Sequence, residues 1–298
     1  MSTASPRGRN SESVEDILAE MDGMVGLDHV KTQLRQFIAL ARVMVLRRDR
    51  DLPTPRISLH MVFSGPPGTG KTVMARKVGR LLRAVRLLTR GHCVEVDRSD
   101  LVAQYVGQTA ARTREVVDKA LDGVLFIDEA YMLTKQSKQQ GGMDPFGQEA
   151  VDTLVAQMEN YRERLVVIIA GYTDDIRDFV ASNAGLKSRF SRYIDFESYS
   201  GDQLVEIFMT ICEENRVVLS DEAKRTARQT INQIAQQNRT AKDFGNARVV
   251  RTFFETVLVA QAERLSREPD VEGLSDDAMQ RIEREDIAVA RDIRDQNG

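Results

Sequence analysis

Cysteine is scarce in this chain. Cys93 and Cys212 lie far apart in 298 residues and without metal-ligand spacing. That excludes a disulfide framework and a cysteine-rich metal site, and leaves two ordinary buried thiols in a reducing compartment. Histidine is as sparse: His29, His60 and His92 are scattered, with no metal spacing. No Ser–His–Asp or Cys–His arrangement is legible. No apolar run approaches the length of a membrane span, and the N-terminal stretch lacks an apolar signal core. No strong excess of one charge exists either. The formal net charge is −3, so nothing global points to nucleic acid or an anionic membrane. The expectation is a cytoplasmic protein. Hydrophobic content of 42% and charged content of 29% are ordinary for a soluble globular protein, and the length suits two packed units.

What is present centres on His60-MVFSGPPGTGKTV-Val73. An apolar run leads into the pattern Gly65-xxxx-Gly70-Lys71-Thr72, a phosphate-binding loop. Small residues let the backbone wrap closely around anionic oxygens. Gly65, Pro66, Pro67, Gly68, Thr69 and Gly70 form that wrap. A helix starting near Lys71, Thr72 and Val73 turns its positive end to the same charge. Lys71 suits the β- and γ-phosphates of ATP, and the Thr72 hydroxyl suits Mg²⁺. The alternative is a chance match in a Gly/Pro loop. A second motif argues against chance: Val124 to Ile127 read as a buried parallel strand ending in Asp128 and Glu129. Ligands in open α/β sheets bind at that end. Asp128 suits the Mg²⁺ shell, and Glu129 suits polarising the attacking water. The plain alternative is a solvated turn or a helix cap.

The pattern predicts a polar, disordered tail over 1–13 and an N-terminal helical segment over 14–58. An α/β P-loop domain over 59–199 and a smaller all-helical domain over 200–298 follow. Strands are expected at Leu59–Ser64, His92–Val96, Val124–Ile127, Leu165–Ala170 and Tyr193–Phe196, with helices between them. Such alternation implies a parallel sheet flanked by helices. After Ser198 only helical patterns remain. Lys135–Met143 reads as a mobile loop. Arg76, Lys77, Arg80, Arg83, Arg86 and Arg90 give a basic stripe, but no aromatic residue interleaves it. It reads as a solvated or subunit-facing surface rather than a nucleic-acid face.

The P-loop, the strand ending in Asp-Glu and the helical C-terminal region together resemble an AAA+ ATPase. Further stretches narrow the resemblance: Asp100-LVAQYVGQ-Thr109, Gly123-VLFIDEAYML-Leu133, Phe146-GQEAVDTL-Leu154, Met158-Glu-Asn160, Gly185-LKSRF-Phe190 and Phe244-Gly-Asn-Ala-Arg248. They are similar to one subgroup, which holds the red-type Rubisco activase CbbX, the sporulation protein SpoVK and the C-terminal domain of the secretion component EccA. The short N-terminus suits CbbX or SpoVK better than EccA, which carries a large extra N-terminal domain. Gly65-Pro-Pro-Gly68 departs from the activase, and the Lys135–Asp144 loop followed by Pro145-Phe-Gly-Gln148 is closer to EccA.

The resemblance implies a homo-hexameric ring that hydrolyses ATP and remodels a protein substrate, such as the Rubisco large subunit or another complex. It implies an arginine finger at Arg189, with Arg192 as the other choice, and a sensor-2 arginine at Arg248. The plain alternative for each is a salt bridge. It places sensor 1 near Thr173 and brings Gly26 and Leu27 against adenine. It makes Tyr105, with Val106, a pore-loop grip on polypeptide. The alternative for Tyr105 is a core position. Two other classes stay open: an assembly switch in which ATP only orders a ring, and a nucleic-acid motor.

Overall fold

The computed structural model describes residues 12–105, 107–134, 144–238 and 241–297. The expected tail lies outside these residues except for Glu12 and Ser13, and the expected loop at Lys135–Met143 lies outside them altogether. The chain divides into two compact units, residues 1–65 with 71–196, and residues 66–70 with 197–298.

The first unit is built on a five-stranded parallel sheet in the order β2-β3-β4-β1-β5. The strands are β1 (Met61–Ser64), β2 (Cys93–Val96), β3 (Gly123–Ile127), β4 (Leu165–Gly171) and β5 (Arg192–Asp195). Every residue of β1, β3 and β4 is buried, which is why these strands read as unbroken apolar runs. Alternation still sorts their side chains. Met61, Phe63, Phe126 and Ile168 join Phe37 and Leu81 from the helices Asp28–Arg48 and Lys71–Ala84. Val62, Leu125, Ile127 and Val167 join Val117, Val151 and Phe179 from Thr109–Ala120, Pro145–Asn160 and Thr173–Ala181. One sheet thus closes two cores, one on each face.

β1 begins at Met61 rather than at the expected Leu59. The buried imidazole of His60 supplies the reason: its Nδ1 accepts from the Val167 N–H at 3.0 Å, so a side chain takes the place of a ladder bond. The first helix, Val14–Asp22, is set by Ser13, whose hydroxyl and the Asp16 carboxylate cap each other's backbone N–H. Lys77 and Arg80 reach from Lys71–Ala84 to Glu20 and hold its carboxyl well below the usual range, at about 2.

The second unit contains the helices Gly201–Glu214, Asp221–Gln237, Ala247–Leu265, Asp276–Gln280 and Arg284–Asn297. Leu204, Phe208, Ile231, Phe253, Phe254 and Ile287 form its core. The expectation that strands stop after Ser198 is corrected here. Val218–Leu219 (β6) and Arg281–Ile282 (β7) pair in parallel. Each is only two residues long. That is too short for any alternation to show, and only Leu219 and Ile282 are buried. Asp286, 1% exposed, accepts from Arg264 at 2.9 Å and fixes the last helix by its first turn.

Candidate functional site

The loop after β1 needs glycine for identifiable reasons. Gly65, Gly68 and Gly70 have φ of 137°, 69° and 92°, outside the range of most side chains. At Gly65 a Cβ would also lie 2.0 Å from the Phe196 carbonyl oxygen. The loop is closed internally. The Thr69 hydroxyl donates to the Pro66 carbonyl at 2.8 Å, and Lys71 Nζ donates to the Gly65 carbonyl at 2.8 Å. The helix Lys71–Ala84 begins directly at the lysine, so its unsatisfied N–H groups and dipole add to an anion-binding concavity.

In the sheet order, β4 separates β1 from β3. The C-terminal ends of β1 and β3 are therefore two strand spacings, about 10 Å, apart. Asp128 and Glu129 follow β3 and are exposed. The Asp128 N–H donates to the Val96 carbonyl at 2.9 Å, and one Asp128 oxygen accepts from the Glu129 N–H at 3.0 Å. Glu129 has φ 47° and ψ 42°, a left-handed conformation that breaks the strand before the short turn Ala130–Leu133. Such backbone in a non-glycine residue stores strain and re-aims the side chain. Thr173 follows β4 as the first residue of its helix, with Tyr172 at the cap. Within the first unit, the C-terminal ends of β1, β4 and β3 thus place Gly65 with Lys71 and Thr72, a threonine and two carboxylates on one rim.

The donors fit a hard cation bound with a nucleotide. Thr72 offers a hydroxyl and Asp128 a carboxylate. Mg²⁺ takes few protein oxygens beside phosphate and water. Among the described residues no group of three or more His, Cys, Asp or Glu forms a cage of its own.

Arg189 and Arg192 differ. Arg189 is half-buried and donates to Glu159 at 3.3 Å and to the Gly185 carbonyl at 3.2 Å. Ser58 donates its hydroxyl to the Arg189 carbonyl. Arg192 lies over the Phe37 ring, 5.0 Å from its centroid, and burial pushes its pKa down. Behind them, burial first and the Arg189 charge second push His60 down to about 4. Tyr105 is 68% exposed, so the core alternative does not describe it. Val106 lies outside the described residues. Gly26 and Leu27 are consecutive left-handed residues, each at φ 60°. The largely buried Lys31 holds the preceding turn by donating to the Met24 and Asp22 carbonyls at 2.5 and 3.2 Å. Arg248 is exposed on the first turn of Ala247–Leu265.

Four members of the basic stripe are engaged within the chain. Arg76 pairs with Glu95, Lys77 with Glu20, Arg80 with Glu12 and Glu20, and Arg86 with Asp49.

Sequence reasoning missed Asn246. It is fully buried and sits at φ 46°, ψ −122° immediately before the helix carrying Arg248. Its Oδ1 accepts from the Tyr199 N–H at 3.0 Å. Its Nδ2 donates to the Phe244 carbonyl at 2.9 Å, to the Pro67 carbonyl at 3.2 Å and towards the Ser198 hydroxyl at 3.5 Å. The only signal in the sequence was its place in Phe244-Gly-Asn-Ala-Arg248.

Comparison with known proteins agrees with this geometry. Residues 61–198 match the family described as ATPase family associated with various cellular activities (AAA), and residues 200–297 match the AAA lid domain. The ESX-1 secretion system protein EccA1 of Mycobacterium leprae is 43% identical over 276 residues, covering 91% of this chain and 48% of that protein. The chain thus spans about half the length of that relative. Stage V sporulation protein K of Bacillus subtilis is 39% identical over 252 residues, 85% of this chain and 76% of that one. The CfxQ homolog of Galdieria sulphuraria is 38% identical over 253 residues, 85% and 80%. The crystal structure of the FIGL-1 AAA domain in complex with ADP matches with a TM-score of 0.61 at 17% identity, over 96% of this chain and 85% of that one. At that identity it speaks for the fold alone. The chain belongs to the AAA ATPase family, as an AAA domain followed by an AAA lid domain, in the subgroup of EccA1, stage V sporulation protein K and CfxQ.

Proposed function

We propose that this chain is the subunit of a cytoplasmic, hexameric, Mg²⁺-dependent ATPase that remodels a protein substrate. The observation that carries the chemistry is the placement of Glu129: exposed, in strained left-handed backbone, two strands from the phosphate loop. MgATP supplies the scissile phosphoanhydride and a divalent charge on its oxygens. Lys71 binds the β- and γ-phosphates, while Thr72 and Asp128 hold the cation. Glu129 takes a proton from the attacking water and orients it. Thr173 senses the γ-phosphate from the end of β4, and Gly26 and Leu27 take the adenine. Arg189 serves the site of a neighbouring subunit, because Arg192 is committed to Phe37 inside its own. A site completed in trans makes the contact head-to-tail, which closes into a ring. Arg248 registers loss of the γ-phosphate from the helical unit.

Tyr105 supports the remodelling half of the reading. A 68% exposed tyrosine two residues before Gly107, itself at φ 79°, offers an aromatic face to a passing chain. For the substrate we favour a component of a specialised secretion system over the Rubisco large subunit. The support is the 43% identity with EccA1 against 38% with the CfxQ homolog, together with the loop departures in the sequence. The test is phosphate release with and without Mg²⁺, repeated with added substrate proteins of each class. Mg²⁺-dependent turnover stimulated by a secreted protein is the expected result. Stimulation by inhibited Rubisco moves the assignment to the activase. Turnover indifferent to every polypeptide leaves the assembly switch.

A further inference from the structure

Three consecutive carbonyls of the phosphate loop are held by residues far along the chain. The Pro67 carbonyl accepts from Asn246 Nδ2 at 3.2 Å. The Gly68 carbonyl accepts from the Ala247 N–H at 3.2 Å. The Thr69 carbonyl accepts from the Tyr199 hydroxyl at 3.3 Å. The chain contains no cis peptide bond among the described residues. A planar trans peptide points its N–H opposite its C=O. Fixing these carbonyls therefore turns the N–H groups of Gly68, Thr69 and Gly70 together, away from residues 199, 246 and 247. Pro66 and Pro67 have no N–H to contribute. The concerted donors that an anion requires are thus oriented from outside the loop.

The holding residues show the cost of this arrangement. Asn246 occupies φ 46°, ψ −122°, where glycine is the unstrained choice and another residue costs about 1–3 kcal/mol. Glycine has no amide to reach Pro67 or to receive the Tyr199 N–H. The approach is also close. A Cβ on Gly68 would lie 1.9 Å from the Gly245 carbonyl oxygen, so Gly68 is small because of this contact and not only because of phosphate.

We propose that Asn246, seconded by Tyr199, is a positioning residue that clamps residues 66–70 into their phosphate-binding conformation. The inference rests on the reading of this loop as the nucleotide site. It deepens that reading by making triphosphate affinity depend on an asparagine that itself meets no phosphate.

The test compares the full-length wild type, Asn246→Gly, Asn246→Asp and Tyr199→Phe. Each is measured for melting temperature and for its Kd with a fluorescent MgATP analogue. Asn246→Gly relieves the positive φ, so its melting temperature should stay within a few degrees of wild type. Its Kd should rise about tenfold, as should that of Asn246→Asp, and that of Tyr199→Phe about threefold. Wild-type Kd in folded Asn246→Gly and Tyr199→Phe overturns the clamp. A lowered melting temperature with unchanged Kd makes Asn246 a purely structural residue and overturns it equally. If the Asn246 variants do not fold, Tyr199→Phe decides alone, by the same two outcomes of its Kd. A wild type that binds no MgATP analogue overturns the nucleotide reading itself.

Discussion

Arg189 and Glu159 form an ion pair 3.3 Å long inside a single chain. The guanidinium proposed to act on a neighbour's nucleotide is therefore held at home by a carboxylate that is itself more than half exposed. A pair whose carboxylate is this open to solvent is worth about 1 kcal/mol or less. A γ-phosphate with its higher charge can displace Glu159 without a large penalty.

Arg189→Ala should bind ATP and be inactive alone. Mixed with Lys71→Ala, it should regain part of the activity, because an intact arginine then meets an intact loop across one interface. Titration of the two proteins, with mixed rings verified, checks this; no recovery at any ratio removes Arg189 from a trans role. Arg192→Ala should behave differently, losing its stacking on Phe37 and lowering the melting temperature.

Glu129→Gln should keep ATP affinity and lose about two to four orders of magnitude in turnover, the usual contribution of a positioned base. Lys71→Ala should lose affinity. Equilibrium binding beside single-turnover hydrolysis separates the two. Wild-type turnover in Glu129→Gln would falsify its role.

Tyr105→Ala should leave the melting temperature and basal ATPase rate unchanged and abolish remodelling, because the ring is exposed. Truncating a buried aromatic instead costs about 3–5 kcal/mol. A large fall in melting temperature would sink the grip.

His60 makes stability depend on acid. Its pKa is 6.5 when unperturbed and about 4 in the fold. Between those values the unfolded chain binds a proton that the folded chain refuses. Stability from this residue is complete above pH 6.5 and is lost progressively as pH falls towards 4. The shift corresponds to roughly 3 kcal/mol. Denaturant titrations at pH 7 and pH 4.5 should show a smaller acid loss in His60→Gln, which keeps an acceptor for the Val167 N–H. An identical loss in both proteins assigns the acid sensitivity elsewhere.

The parts legible in the sequence share one physical basis. β1, β3 and β4 are buried on both faces, so each appears as an apolar run, and the residues after them stand out as Gly, Lys, Asp and Glu. What escaped depends on conformation and long-range contact. Asn246 looks like any polar residue until its backbone angles and its partner at Pro67 are known. Lys31 sits at an ordinary helical position, yet its ammonium is buried under the turn it organises. β6 and β7 are too short for a period, and His60 stands in for a ladder bond only because Val167 lies beside it.

The bond between Asn246 and Pro67 joins positions 179 residues apart. A ribosome adds about 5–20 residues per second, so roughly ten seconds or more separate the two during synthesis. The sheet unit ends at residue 196 and can collapse on the nascent chain before Asn246 exists. Until then the loop has no hydrogen bond from Asn246 to the Pro67 carbonyl. If the proposed clamp operates, competence to bind nucleotide follows synthesis of the helical unit that carries Asn246 rather than synthesis of the sheet unit.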